Sequence, residues 1–301
     1  MTELEDRIKK GDLIILDGGT GSELERRGIA LTRQTWSAAG LLNRSDLVQE
    51  IHRDYIAAGA DVIITNTFAT CRHWLDASGL GDRTRELNEA AVTAAQEARR
   101  ESEADRDVWI AGSISTNWPR RDGYKGPSET QAKANYREQS EILAEGGVDL
   151  IALEMMRDIE QTGFALEAAL ATDLPVWVGF SCGAKEGEDV RLGGYDGETH
   201  LLSEGLKLLE DKGVALVAIM HTIAQETMPA LQVVKEQWGG PVGAYPHTGS
   251  SSWDSGYQRG TVSPEDFLDA ARQWVSMGVQ AVGGCCGIGP EHIRLLREGL
   301  L

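Results

Sequence analysis

Eight short runs rich in Val, Ile and Leu alternate along the whole chain with amphipathic stretches of ten or more residues. The strand-like runs are residues 13–17, 61–66, 108–115, 148–154, 176–182, 214–221, 241–245 and 279–284. Between and after them lie helix-like stretches at 46–58, 83–103, 128–145, 159–171, 199–212, 225–237, 264–275 and 290–300. Several carry boundary signals: Ser45 and Ser263 stand as N-caps, Pro264 and Pro290 in first turns, and Gly59, Gly146 and Gly213 at C-terminal ends. Strict alternation repeated eight times predicts a parallel (β/α)8 TIM barrel, because an open doubly wound sheet more often has five or six strands. No linker rich in Pro, Ser or Gly divides the chain, so residues 1–301 are read as a single barrel domain.

In such a barrel the chemistry sits where the strands end, and the strand-end residues here include Asp17, Asn66, Glu154, Cys182, His221, Tyr245, Cys285 and Cys286. Asn66 and Ser115 read as structural polar residues. Two irregular stretches that follow strands, 117–127 and 245–261, read as long loops on the same face. The turn Gly18-Gly19-Thr20-Gly21 lacks both the Walker ending and the spacing of a dinucleotide loop, and reads as a tight turn that brings backbone near a substrate. Residues 193–197 read as a flexible glycine loop.

The net charge of -18 argues against nucleic acid or an anionic membrane as partner. No apolar run is long enough to span a bilayer, and the acidic N-terminus is unlike a signal peptide, so a cytoplasmic protein is expected. Four cysteines cannot form a disulfide framework, which turns attention to the adjacent Cys285 and Cys286 in Gly-Gly-Cys-Cys-Gly. Consecutive side chains on a strand point to opposite faces, so both cannot pack in one apolar layer, whereas flanking glycines let the backbone curl and bring both sulfurs together. Two thiolates suit a metal, zinc above others, and a catalytic zinc needs a third protein ligand with a fourth position open. His221 and Cys182 are the candidates, and His221 is favoured because its strand lies one place nearer the last one. A zinc-bound thiol ionises at neutral pH, and a thiolate in a low-dielectric site is suited to attack a methyl group on a cationic donor.

These residues resemble the homocysteine S-methyltransferases, a family that uses betaine, S-methylmethionine or, in larger chains, methylfolate as donor. The resemblance runs through Leu16-Asp17-Gly18-Gly19-Thr20-Gly21-Ser22-Glu23-Leu24 with Arg27-Gly28, through Trp36-Ser37-Ala38, His52 to Asp61 and Thr65-Asn66-Thr67-Phe68. It continues in Gly147-Val148-Asp149 to Glu154, in Tyr245-Pro246 and in Gly283 to His292. It implies a zinc-bearing (β/α)8 barrel with Cys285 and Cys286 as ligands, and an amino acid pocket at Asp17, Gly18, Gly19 and Glu154. Asp17 and Glu154 would bind the acceptor's ammonium group, with loop capping or a salt bridge as the other reading of Asp17. Trp36 resembles a tryptophan of the family's first loop, which core packing explains equally well.

The chain departs from the family pattern where that pattern supplies the first zinc cysteine in Asn-Cys-Thr, for here the residues are Met220-His221-Thr222. A site of His221, Cys285 and Cys286 is one unit more positive than one of three thiolates. His247 stands where many relatives carry Asn, so His221 and His247 are both taken as candidate catalytic residues, with a backbone-bonding loop histidine as the other reading of His247. The expectation is a zinc-dependent S-methyltransferase that moves a methyl group from a small onium donor to a thiol such as homocysteine, forming methionine. The alternatives are a metal-assisted hydrolase or lyase with His221 or His247 as base, and a non-catalytic amino acid or onium-binding protein. The fold also suggests a homo-oligomer.

Overall fold

The computed structural model describes residues 2–32, 35–119, 124–183, 188–194, 199–248, 251–252, 256–257 and 262–301, to which every structural statement refers. Eight parallel strands follow one another around a sheet: β1 (Ile14–Ile15), β2 (Val62–Ile64), β3 (Trp109–Ser115), β4 (Leu150–Met156), β5 (Val176–Phe180), β6 (Leu216–Ile223), β7 (Val242–His247) and β8 (Ala281–Val282). Each pairs with its sequence neighbours, β8 pairs back onto β1, and a bridge between Leu16 and Val62 joins β1 to β2, so the expected (β/α)8 barrel is what the chain forms.

Both faces of these strands are buried, which is why the runs are apolar throughout rather than alternating. Ile14, Leu16, Val62, Ala111, Ala152, Ala218 and Ala281 fill the interior together with Trp109 and Trp177. Their sequence neighbours Ile15, Ile63, Ile110, Ile151, Val178, Val217 and Val282 face outward into the shell shared with the helices. Helix Glu3–Lys10 sends Leu4 and Ile8 into the interior cluster, and its Arg7 lies 5.4 Å from the Trp109 ring.

Carboxylates complete the seam where the β1 and β2 ladder is shortest. The Ile15 amide donates to Asp61 Oδ2 at 2.9 Å and the Ile64 amide donates to Asp17 Oδ2 at 2.8 Å. Asp61 also accepts from Arg297 of the C-terminal helix Pro290–Leu300 at 3.1 Å, which ties the last element to the first strands.

Several boundaries shift for local reasons. Ser45 is inside helix Ser45–Ala58 with its hydroxyl donating to Leu41 O, and Arg44 holds the cap position. Ser263 caps helix Pro264–Ser276 as expected, accepting from the Asp266 amide at 3.1 Å. Gly146 is right-handed, and the left-handed turn falls on Gly147 at φ +85°. The stretch 199–212 yields only the helix Leu202–Leu208. Short antiparallel pairs join Cys182–Gly183 to Arg191–Leu192 and Ser251–Ser252 to Gly256–Tyr257 beyond the strand ends. Much of the loops expected at 117–127, 193–197 and 245–261 lies outside the described residues: 120–123, 195–197, 249–250, 253–255 and 258–261. Among the described residues no helix is long and apolar enough to cross a membrane.

Candidate active site

Strand β8 stops after two residues because the chain then needs backbone where side chains do not fit. A Cβ on Gly283 would lie 2.4 Å from Leu16 Cβ, and one on Gly284 would lie 2.3 Å from Ile288. The first loop meets the same restriction, since a Cβ on Gly18 would come within 2.3 Å of Ile288 O and one on Gly19 within 2.7 Å of Cys285 O. The two glycine pairs thus let two loops interlock backbone to backbone. The Gly19 amide donates to Ile288 O at 2.9 Å and the Gly284 amide to Asp17 O at 3.0 Å. The cysteine turn is closed by the Cys285 amide on Pro246 O at 2.8 Å and the Thr248 amide on Cys286 O at 3.0 Å.

The curl brings the two sulfurs to 3.6 Å from each other. His221 Nδ1 lies 3.5 Å from the Cys285 sulfur and 3.8 Å from that of Cys286. Bond lengths of about 2.3 Å to sulfur and 2.05 Å to nitrogen at a tetrahedral centre imply donor edges of about 3.8 and 3.6 Å. The three residues therefore fit a single metal ion, and they are the group of this kind found among the described residues. Cys182, the other candidate, is buried in the outer shell, with its backbone amide bonded to the Thr222 hydroxyl. The Cys285 thiol is raised well above its ordinary value, first by the hydrogen bond with Cys286 and then by burial. A cation between the sulfurs would remove that resistance to ionisation.

His221 reaches this position through a break in the ladder. Met220 pairs with Tyr245 and Ile223 with His247, so two residues of β6 face Pro246 alone. Proline has no N–H for the ladder, and a bulge here re-aims a side chain. The result is a left-handed His221 at φ +43°. Strand β4 uses the same device: Glu154 and Met155 face Gly179, with Met155 at φ +56°. A side chain at position 179 would meet Tyr245 Oη at 2.5 Å, so glycine is required there.

Glu154, His221, Cys285 and Cys286 line one cleft of about 90 Å³ with Gly18, Gly19, Trp36, Phe68, Asn66 and Asn117. Glu154 is 7% exposed, and Ser113 Oγ donates to its Oε2 at 2.5 Å. Burial raises its pKa to about 7, the Ser113 bond pulls it back, and Cys286 and His221 act in opposite senses. Asp17 lies outside the cleft lining, fully buried, with Oδ2 on the Ile64 amide and Oδ1 without a hydrogen-bond partner among the described residues. Burial drives its pKa well above the ordinary carboxylate value, and the neighbouring charge of Glu154 adds to the rise. His247 stacks on His221, with ring centroids 4.7 Å apart and planes 29° apart.

Sequence reasoning missed Ser113, although a serine two positions from the inward Ala111 on an apolar strand was the available signal. It also read Asn66 as structural. Asn66 does donate to Ser37 O at 2.9 Å, and it lines the cleft as well.

A sequence model described as homocysteine S-methyltransferase matches residues 14–300, nearly the whole chain. The chain belongs to the homocysteine S-methyltransferase family. Selenocysteine methyltransferase of Astragalus bisulcatus is 30% identical, over 94% of this chain and 91% of its own. Homocysteine S-methyltransferase YbgG of Bacillus subtilis is 29% identical, over 98% and 96%. The crystal structure of the homocysteine methyltransferase MmuM from Escherichia coli, in a metallated form, superposes with a TM-score of 0.79 at 26% identity, covering 99% of both chains. This homocysteine S-methyltransferase family member is a methyltransferase built on a TIM barrel.

Proposed function

We propose that this chain transfers a methyl group from a small onium donor, of the S-methylmethionine or betaine type, to homocysteine, using zinc held by His221, Cys285 and Cys286. The observation that carries this reading is the donor triangle of 3.5, 3.6 and 3.8 Å at the mouth of a barrel of this family. Two thiolates neutralise the dication, so the site has no net charge before the substrate arrives. Bound zinc supplies one thing, the ionisation of the acceptor thiol at neutral pH.

The remaining work falls to the chain. Glu154 would take the ammonium group of the amino acid, held in place by Ser113, while Asp17, whose burial favours its neutral form, would brace the β1–β2 seam below the cleft through the Ile64 amide. Gly18 and Gly19 would let the acceptor approach the backbone of the first loop. Trp36 and Phe68 would wall the donor side, where an onium cation gains from aromatic faces and loses water. In the transfer, a sulfur lone pair of the acceptor forms the new S–CH3 bond. The donor's bond from carbon to its onium atom breaks with the pair left on the donor, which departs neutral, and the thiol proton goes to solvent. The product is methionine. We place the reaction in the cytoplasm, whose reducing conditions keep adjacent thiols open.

The test is to incubate the purified protein with homocysteine and either donor, following methionine formation and zinc content together. About one zinc per chain and chelator-sensitive turnover are expected for a single tetrahedral site. Turnover by metal-free protein would defeat the zinc assignment, and a broad donor screen without thiol-dependent transfer would defeat the reaction.

A further inference from the structure

We infer that His247 is a positioning residue that holds the His221 imidazole with Nδ1 at the two cysteine sulfurs, and so sets metal affinity. The inference rests on the metal reading above and adds a residue to it. A histidine that binds a metal is normally fixed by a hydrogen bond from its second ring nitrogen to a carboxylate, a carbonyl or water. His221 has no such bond to a described residue through Nε2. Its backbone is in the left-handed region, φ +43°, where a non-glycine residue stays only if its surroundings hold it. The Ser181 hydroxyl, which donates to His221 O at 3.0 Å, restrains the main chain but leaves the ring free to turn.

The ring is restrained instead by a face. His247 is 5% exposed and sits at the end of β7, paired in register with Ile223 just past the bulge that creates the His221 conformation. Its imidazole is stacked on that of His221, 4.7 Å between centroids and 29° between planes. Rotation of His221 about its Cβ–Cγ bond would swing Nδ1 away from the sulfurs, and the same rotation would break the stack. The pairing therefore selects the ring orientation in which Nδ1 closes the donor triangle. Because Nδ1 is bonded directly to Cγ, only the staggered rotation about Cα–Cβ is left to recover the geometry once the ring turns.

The test compares His247→Ala, His247→Asn and His247→Phe in the full chain. Zinc affinity is read by competition with a chromophoric chelator, and ligand geometry by the visible absorption of the cobalt(II)-substituted protein. Second-sphere partners of metal-bound histidines are worth 10–100-fold in affinity, so H247A and H247N are expected to bind zinc at least about tenfold more weakly with altered cobalt bands. H247F keeps a stacking face without ring nitrogens, and is expected to stay within about threefold of the parent with an unaltered spectrum. A stack that serves only the fold would lower thermal stability in all three without moving the spectrum.

Parent-like zinc affinity and spectrum in H247A would overturn the inference. So would equal weakening in H247F and H247A, because the ring face would then not be the operative feature. A rise in KM for the thiol, with metal binding unchanged, would make His247 a substrate contact and overturn it too. A parent protein that takes up neither ion would instead remove the metal reading on which the inference stands.

Discussion

Glu154 combines near-complete burial, a pKa raised to about 7 and a 2.5 Å hydrogen bond from Ser113, so a cation that enters the cleft would favour ionisation of a carboxyl that water cannot solvate. Replacing it with glutamine keeps the shape and removes the charge. Hydrogen bonds to charged groups are worth roughly 1.5–3 kcal/mol, so Glu154→Gln is expected to raise the KM for homocysteine at least about tenfold and to change kcat less. Steady-state kinetics with the acceptor varied would check this, and an unchanged KM would place the ammonium group elsewhere. Cys285→Ser exchanges a soft thiolate for a poor ligand, and is expected to lose zinc and at least about a thousandfold in turnover, since the centre then has two good donors. Elemental analysis and the methionine assay read the two effects separately. Cys285 and Cys286 are legible in the sequence, because adjacent cysteines between glycines have few other uses. Ser113 is not, because a buried serine in a strand becomes informative only when its neighbour across the sheet is known.

At the scale of elements, two substitutions separate loop chemistry from helix stability. Gly284→Ala places a methyl group 2.3 Å from Ile288, where the backbone and not a flexible tip must move. A destabilisation of about 1–3 kcal/mol is expected, together with loss of metal binding because the cysteine turn shifts. Ser263→Ala removes the cap of helix Pro264–Ser276, and is expected to cost about 1 kcal/mol while leaving turnover intact. Chemical denaturation of both variants beside the parent would show whether loop and helix are independent in this way. Alternation and caps made the elements readable from the sequence, with Ser263, Pro264 and Pro290 marking helix starts correctly. The two bulges were not readable. Pro246 makes its bulge necessary only because it lies opposite His221 and Thr222 in the register, and Gly179 does so for Glu154 and Met155 only because Tyr245 crowds it.

For the whole molecule, buried histidines shape the response to acid. Burial holds His52 and His73 at a pKa of about 4, against 6.5 for the free side chain. Between pH 6.5 and 4 the unfolded chain takes up protons that the folded one refuses, so this contribution to stability is complete above pH 6.5 and is lost as pH falls through 4. The difference corresponds to roughly 3 kcal/mol per histidine. Glu154 acts in the opposite sense: its raised pKa of about 7 gives stability that is complete below the ordinary carboxyl value and lost as pH rises through 7. The net curve in this window is therefore flattened, and the histidine part is seen best by difference. His52→Leu, which removes a ring with no hydrogen bonds among the described residues, is expected to be as stable as the parent or more so at pH 7. It should lose less on acidification to pH 5. Urea titrations at the two pH values would decide it, and parallel losses in both proteins would show that His52 does not titrate on unfolding.

The sequence by itself determined the barrel, because eight apolar runs buried on both faces and separated by helices have one economical closed arrangement, and it singled out Cys285 and Cys286, which the structure finds in the lining of the cleft. It also placed His221 and Glu154 at strand ends. Only the tertiary structure decided between His221 and Cys182 as companion to the cysteines, because that choice turns on which way a side chain points after a bulge. It likewise placed Asp17 in the β1–β2 seam below the cleft and His247 against the His221 ring. These are relations between residues up to 65 positions apart, and local propensity carries no information about a distance set by the register of neighbouring strands.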